Sequence, residues 1–289
     1  MTFPSNSERL LNGVLAGLKA RLAPKLRIFA ASRFGINVGR VTFASVFLGV
    51  WQFGANRFFD PFFFGTPLAV FKQLLMELTN VEFYYDLGVT TAEMAAGFGI
   101  GASSGIVLGV LLARWTYIAS VVDPFLLALN SIPRIALAPM LIVWFGIDMA
   151  SKVFLGATLV FFITFFNTIA GIRSVEPALC DVARVQGATD WQIFAKVMLP
   201  SASSWIMTGI KMSLPFALVG VIIGEFLVSS HGLGYRLNAY STSYNTVGAL
   251  SMIIIMMILM MMLTAVVERL EARIMRWRPA RNLGPIARP

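Results

Sequence analysis

Long runs of apolar residues constrain this chain more than any other feature of its sequence. From Thr246 to Val267 the chain continues for 22 residues without a charged side chain. A helix needs roughly 20 mostly apolar residues to cross the hydrocarbon core of a bilayer. Runs of this length and character predict transmembrane helices at residues 41–59, 94–113, 153–172, 204–227 and 246–267. The second of these is expected to begin before Glu93.

A sixth apolar stretch, residues 118–147, is too long for one straight helix and contains Pro124, Pro133 and Pro139. Proline removes a backbone donor and clashes with the preceding turn. Such breaks survive at membrane depth only where protein or a water-filled cavity satisfies the freed backbone groups. We expect one kinked crossing, with two short re-entrant pieces as the alternative. The predicted fold is an all-α, polytopic membrane bundle of about six transmembrane helices.

Composition agrees with a surface that faces lipid. Hydrophobic residues make up 57% of the chain and charged residues 13%, against about 25% charged residues in soluble domains. The formal net charge of +9 is concentrated at the two termini, so we expect no nucleic-acid partner. Cys180 and His231 are the only residues of their types, which predicts no intrachain disulfide and no metal site of the usual Cys/His kind.

Basic residues at both ends orient the chain. Lys and Arg near the ends of spans stay cytoplasmic, so we expect both termini in the cytoplasm of a bacterium, with the spans in its inner membrane. Residues 10–29 predict an amphipathic helix on the membrane surface, and a plain soluble tail is the alternative. The expected organisation is a basic segment 1–40, a first span 41–59, an external loop 60–86, a transmembrane core 87–267 and a basic tail 268–289.

Residues 173–200 form the only sizeable cytoplasmic segment between the predicted spans. Pro177 suits the first turn of a helix, and Gly187 can end that helix because glycine tolerates a positive φ. Thr189 or Asp190 can cap a second helix, which we expect to end before Pro200. A helix–glycine–helix elbow between two spans is a lever that a cytoplasmic partner could move.

This elbow resembles the EAA loop of ATP-binding-cassette importer permeases. The matching residues are Asp181-Val182-Ala183, Gly187 and Val197-x-Leu199-Pro200. Asp181 and Val182 depart from the Glu and Ala of that pattern. Further similarity to the sulfonate/nitrate/taurine branch of type I permeases lies at Asp123-Pro124, Ile132-Pro133, Trp144-Phe145-Gly146-Ile147, Ser151-Lys152, Glu225 and Gly232-Leu233-Gly234.

The resemblance implies the permease subunit of an importer, which carries a small anionic or heteroaromatic solute by alternating access. It implies a second copy of the chain, with a heterodimer left open, and an external or periplasmic solute-binding protein. Cytoplasmic ATPase subunits would dock on the elbow. They would also hold the ATP and Mg²⁺, because this chain has no G-x-x-x-x-G-K-[ST] loop for nucleotide phosphates. We expect no cofactor in this chain itself. The docking residues would be Asp181, Ala183, Gly187, Val197, Leu199 and Pro200.

Two other classes of function stay open from the residues alone. A secondary transporter or channel also uses broken transmembrane helices. A membrane-embedded enzyme would need a constellation of nucleophile or metal ligands, and one His with one Cys offers almost none. The sequence does not name the transported solute.

Four glycines in the second span recur every fourth residue. Small residues at this spacing let membrane helices approach closely, so we expect a packing stripe, with ligand contact as the alternative. The stripe consists of Gly97, Gly101, Gly105 and Gly109.

Ionisable residues inside spans usually face a cavity or a partner. Arg134 follows the break at Pro133 and is a candidate contact for an anionic solute, together with Asn130 and Glu225. The alternatives for Arg134 are a salt bridge to Glu225 or Glu93, or a side chain that reaches the membrane interface.

Overall fold

The computed structural model describes residues 33–58 and 60–275, and every regular element in that part of the chain is helical. The predicted amphipathic helix 10–29 and the end of the basic tail lie outside the described residues. The chain divides into two compact units, and the boundary in the sequence follows Ala69. The first unit contains α1 (Arg33–Arg57), the short α2 (Pro61–Phe64) and the start of α3 (Pro67–Glu77).

Four long helices dominate the second unit. They are α4 (Val81–Arg114), α7 (Met149–Arg173), α10 (Leu199–Val228) and α12 (Thr246–Ile274). Shorter elements between them are α5 (Thr116–Asn130), a 3₁₀ turn (Arg134–Leu137), α6 (Ala138–Phe145), α8 (Pro177–Val185), α9 (Asp190–Ile193), a π turn (Phe194–Met198) and α11 (Leu233–Thr242).

Helix α4 begins well before the predicted second span. Asn80 caps it by accepting the Glu82 N–H at 2.9 Å. The helix therefore contains both Asp86 and Glu93. The expected external loop 60–86 includes α2, α3 and the first turns of α4. Residues 228–245, between the last two predicted spans, contain α11. The start of α4 contacts this helix, since Asp86 pairs with Arg236.

The proline-rich stretch 118–147 is broken, as its sequence predicts. Two helical pieces, Tyr117–Asn130 and Arg134–Phe145, meet at an angle of 79°. Five helices among the described residues are long and apolar enough to cross a membrane, and the bent pair makes six if it is one span. A kinked crossing and a re-entrant arrangement both fit this geometry.

The glycine stripe of α4 lies directly against α7. A Cβ added to Gly101 would stand 2.5 Å from the carbonyl oxygen of Ala157, and one on Gly105 would stand 2.6 Å from Thr164 Oγ1. Gly97 and Gly109 face Val153 and Thr168 of the same helix at similar distances. The absence of side chains therefore brings the two backbones into contact, as in other small-residue helix pairs.

Candidate functional site

The first limb of the elbow is a helix whose two ends are set by local sequence. Pro177 occupies its first turn, where the missing N–H would have had no partner. Gly187 follows the last turn of this helix and adopts φ +84°. The Gly187 N–H donates to the Arg184 carbonyl and the Ala188 N–H donates to the Ala183 carbonyl, both at 3.0 Å. This pair of bonds is a Schellman motif, which places glycine in the left-handed region.

The second limb starts with a capping box and runs on into a membrane span. The Gln192 N–H donates to Thr189 Oγ1 at 3.3 Å, and the Thr189 N–H donates to Gln192 Oε1 at 2.9 Å. The predicted stop before Pro200 is wrong, because helix continues from Asp190 to Val228 over 39 residues. A π turn makes this possible, since Leu199 donates to the carbonyl of Phe194, five residues back.

The long helix carries the second limb beyond the bilayer. At 1.5 Å per residue its 39 residues extend about 58 Å, whereas a bilayer with its headgroups measures about 45 Å. Ile193 and Phe194 anchor the inner side of the elbow, and Phe194 packs with Ile172 and Ala202. Any force on the elbow is therefore transmitted directly to α10.

The outer side of the elbow exposes apolar side chains that nothing in the described chain covers. Val185 is 89% exposed, and Leu179, Val182 and Trp191 are exposed as well. Arg184 adds charge and pairs with Asp181 at 2.9 Å and with Asp190 at 3.9 Å. Among the predicted docking residues, Asp181, Gly187 and Pro200 are exposed, while Ala183, Val197 and Leu199 are half-buried.

Arg134 lies at the break between α5 and α6. Its guanidinium donates to both the backbone oxygen and the side-chain oxygen of Asn130 and lies 4.5 Å from the ring centre of Phe162. The suggested salt bridge to Glu225 or Glu93 is wrong, because no carboxylate pairs with Arg134 in the described part of the chain. Arg134 Nε is buried without a hydrogen-bond partner, so this cation is held by neutral groups alone.

A second polar site lies at the end of α10 that is distant from the elbow. Lys152 of α7 pairs with Glu93 of α4 at 2.5 Å. Glu225 of α10 is 1% exposed and accepts the hydroxyl of Thr90 at 2.6 Å. We call Asp86, Thr90, Glu93, Lys152 and Glu225 the loop-anchor cluster, because three of these side chains hold the chain that follows α10.

Three consecutive backbone amides at the start of α11 bind the loop-anchor cluster. The Gly232 N–H donates to Asp86 Oδ1 at 2.9 Å, the Leu233 N–H to Thr90 Oγ1 at 2.8 Å and the Gly234 N–H to Glu225 Oε2 at 2.6 Å. The first amides of a helix have no partner within it, and carboxylates there interact favourably with the helix dipole. The acidic residues of the spans thus satisfy the start of α11.

Arg236 and Tyr240 fasten the next turns of α11 to Glu77. Arg236 pairs with Glu77 at 3.0 Å and also with Asp86, and the Tyr240 hydroxyl donates to Glu77. Burial alone would lower the pKa of Arg236, but the hydrogen bond and charge of Asp86 and the charge of Glu77 outweigh it, so the pKa is raised. Burial and the contact with Glu77 raise the pKa of Tyr240 to about 12.

Sequence reasoning found Glu225 and Glu93 as charges inside spans but missed their partners. Glu225 faces the amide of Gly234 rather than an open path, so its place on the solute path stays a prediction. Lys152 follows Ser151 at a predicted span end, where a lysine reads as a side chain at the interface. The available signal was Glu93 itself, since a carboxylate at membrane depth needs a cation or donors.

Comparison with known proteins finds relatives of this chain among solute-transport permeases. A profile of the family described as "binding-protein-dependent transport system inner membrane component" matches residues 105–276. The chain is 32% identical over 238 residues to the aliphatic sulfonates transport permease protein SsuC of Bacillus subtilis (strain 168), which covers 81% of this chain and 85% of the relative.

Two further relatives are named for different solutes. The formylaminopyrimidine transport permease protein ThiX of Halalkalibacterium halodurans is 29% identical, covering 79% of this chain and 91% of the relative. The riboflavin transport system permease protein RibX of Chloroflexus aurantiacus is 27% identical, covering 78% and 85%. Among solved structures, inward-facing MetNI methionine ABC transporter has 20% identity and a TM-score of 0.48, covering 71% of this chain and 95% of that chain.

Proposed function

The chain belongs to the family of binding-protein-dependent transport system inner membrane components, and on that premise we propose that it moves its solute by alternating access driven by a separate ATPase. In this proposal closure of the ATPase dimer draws two elbows together, and the spans behind them open toward the outside. Release of the nucleotide products returns the permease to an inward-facing state. The chain itself performs no chemical reaction.

The elbow is the observation that carries this proposal. Its outer side presents exposed apolar side chains and the charges of Asp181 and Arg184, which suits a protein surface rather than solvent. Its second limb belongs to the same continuous helix as a membrane span. A partner that moves the elbow therefore moves the span.

The proposed assembly contains a second copy of this chain, two cytoplasmic ATPase subunits and an external solute-binding protein. ATP and Mg²⁺ belong to the ATPase subunits. Both termini lie in the cytoplasm in this arrangement and the spans lie in the bacterial inner membrane, as the basic ends of the chain predict.

For the solute path we propose Asn130 and Arg134, at the break between α5 and α6. No carboxylate among the described residues pairs with the guanidinium, which lies over an aromatic ring. An anionic group or a flat heteroaromatic ring would therefore complete its contacts. Relatives named for aliphatic sulfonates and for riboflavin fit these two chemical classes. Glu225 would reach the path only in a conformation in which the chain after α10 has moved away from it.

The experiment that tests the proposal replaces Gly187 by Val. A β-branched residue is strained at φ +84°, so the first limb can no longer turn into the second. We expect the variant to insert into the membrane normally but to lose most of the ATP hydrolysis that solute stimulates in the complex reconstituted with its ATPase. Gly39→Val is the matched control, because Gly39 lies in helix α1 with no heavy atom within 4 Å of an added Cβ.

Two results would contradict the proposal. If Gly187→Val and Gly39→Val both retained full stimulation, the elbow would not couple the two subunits. If solute uptake continued in vesicles depleted of ATP but collapsed with the proton or sodium gradient, the chain would be a secondary transporter instead.

A further inference from the structure

Two carboxyl groups and one ammonium group are enclosed at the centre of the loop-anchor cluster. Glu93 is 2% and Glu225 1% exposed, and Lys152 is nearly as buried. Lys152 pairs with Glu93, and its stem packs against Gly224, the neighbour of Glu225. Thr90, which bonds to Glu225, lies one turn before Glu93 on α4. If all three groups were charged, two negative charges would share one positive charge in a region without water contact.

The hydrogen bonds of Glu225 leave one of its oxygens able to carry a proton. Thr90 accepts the Leu233 N–H, so its own hydroxyl hydrogen is directed to Glu225 Oε1. Glu225 Oε2 accepts the Gly234 N–H. A carboxylic hydroxyl oxygen keeps acceptor capacity while it donates its hydrogen, so both contacts are compatible with a protonated Glu225.

Glu93 lacks a hydrogen-bond donor on one side. Its Oε1 accepts from the Lys152 ammonium, whereas its Oε2 is buried and has no donor among residues 33–58 and 60–275. A buried acceptor without a donor is costly, and almost all such groups in folded proteins find a partner. Within the loop-anchor cluster, a protonated Glu225 carboxyl could supply that hydrogen.

The groups around the pair do not supply the missing positive charge. Arg236 is already shared between Glu77 and Asp86, and the exposed His231 faces Asp86 at 3.5 Å rather than either glutamate. Besides Glu93, the Lys152 ammonium donates to the Ser229 hydroxyl at 3.2 Å. The charged and titratable groups of the packed elements are Glu77 of α3, Asp86 and Glu93 of α4, Lys152 of α7, Glu225 of α10, His231 before α11, and Arg236 and Tyr240 of α11.

We propose that the Glu93–Glu225 pair binds one proton, carried by Glu225 and donated from its hydroxyl to Glu93 Oε2. The ligand is a proton, and the site is built from α4, α7, α10 and the start of α11. Like charges in contact cannot both ionise easily in a buried site, and the shared proton removes one of them. It also gives Glu93 the donor that it lacks. The loop-anchor cluster fixes residues 232–234 after α10 in place. The proposed proton site does not depend on the proposed transport mechanism.

Infrared difference spectroscopy tests the proton directly. The full chain, purified into lipid nanodiscs at neutral pH, should show the carbonyl stretch of a protonated carboxylic acid, with a small shift in D₂O. Glu225→Gln should abolish this band. Glu82→Gln is the control and should leave it unchanged, because Glu82 is largely exposed on the same helix α4.

The dependence of stability on pH provides a second measurement. In the proposal the folded state holds one proton that an unfolded glutamate, with a pKa of about 4.3, has released. The folded state therefore loses stability as pH rises, by about tenfold in the folding equilibrium constant per pH unit. Reversible unfolding in mixed SDS micelles between about pH 5.5 and 6.5 should show this slope in the wild type and not in Glu225→Gln. His231→Asn should keep it.

Each remaining outcome decides the matter. Absence of the acid band in the wild type overturns the proposal, as does a band that survives in Glu225→Gln. A band that disappears only in Glu93→Gln would place the proton on the wrong residue. If Glu225→Gln does not fold, Glu225→Asp serves instead, because a proton on this carboxyl must then shift the band rather than leave it in place.

Discussion

An ion pair lies near each end of the long helix that begins at Asp190, and the two pairs have very different surroundings. At the elbow Arg184 meets Asp181 at 2.9 Å, with 60% and 67% of the two side chains exposed. At the loop-anchor cluster Lys152 meets Glu93 at 2.5 Å, with 6% and 2% exposed. Both distances are those of direct ion pairs, whereas burial makes the two pairs different kinds of interaction.

This difference matches what each end has to do in the proposed transport cycle. Water can replace either partner of an exposed pair, so the elbow can exchange its internal contacts for contacts with another protein at little cost. Nothing can replace a partner in the loop-anchor cluster, because the amides of Gly232 and Gly234 and the side chain of Thr90 enclose it. One end is suited to binding, and the other to holding its conformation.

The largest expected effect tests the buried end. Lys152→Met should destabilise the folded chain by about 3–5 kcal/mol, because it leaves a buried carboxylate without its cation. The change is measured by SDS unfolding in mixed micelles. The double variant Lys152→Met with Glu93→Gln should recover most of the loss, since it removes both charges together. A single variant that costs less than about 1 kcal/mol, the range of exposed pairs, would contradict the comparison.

The next effect concerns the helix pair that joins the two ends. Gly101→Val would place its Cβ 2.5 Å from the Ala157 carbonyl oxygen and 2.8 Å from Val160 Cβ. Overpacking of this kind costs about 1–3 kcal/mol, so α4 and α7 should separate and the variant should unfold earlier in SDS. Gly99→Val, two residues away, should not, because no heavy atom lies within 4 Å of its Cβ position. Equal losses in both variants would show that valine itself, rather than close packing, is responsible.

The parts of the fold that were predictable from sequence are those determined by local patterns. Apolar runs located the spans, the prolines located the break at Pro133, and the spacing of Pro177 and Gly187 located the first limb of the elbow. Each of these depends on residues within a few turns of one another. Local chemistry also explains why Gly187 stands where the chain needs a positive φ.

The loop-anchor cluster could not be predicted because its members are distant in sequence. Lys152 and Glu93 are brought together by the close packing of α4 on α7, and Thr90 meets Glu225 across 135 positions. The sequence predicts that the second span begins before Glu93, but its charged residues hide how far α4 extends toward Val81. Pro200 read as a helix stop because the π turn before it leaves no simple sequence signal.

A smaller effect tests the elbow through its cap. Thr189→Ala removes the hydroxyl that accepts the Gln192 N–H, which should cost about 1 kcal/mol. We expect faster amide hydrogen exchange in residues 190–193, with little change in global unfolding, because the elbow is not part of the buried core. Thr208→Ala is the control, since that hydroxyl only donates back to Ser204 of its own helix. A global loss as large as that of Lys152→Met would mean that the elbow is not independent of the bundle.

The smallest effect returns to the exposed ion pair. Arg184→Ala should change the free energy of unfolding of the isolated chain by less than about 1 kcal/mol, because solvent screens both partners. A double-mutant cycle with Asp181→Ala, measured in SDS, should give a coupling energy within the same limit. The same variant should nevertheless reduce binding of the ATPase in the assembled complex, since a charge at a protein interface contributes to association even when it adds nothing to folding. A coupling energy above about 2 kcal/mol in the isolated chain would show that the elbow is held internally, as the far end is, and would remove the contrast between them.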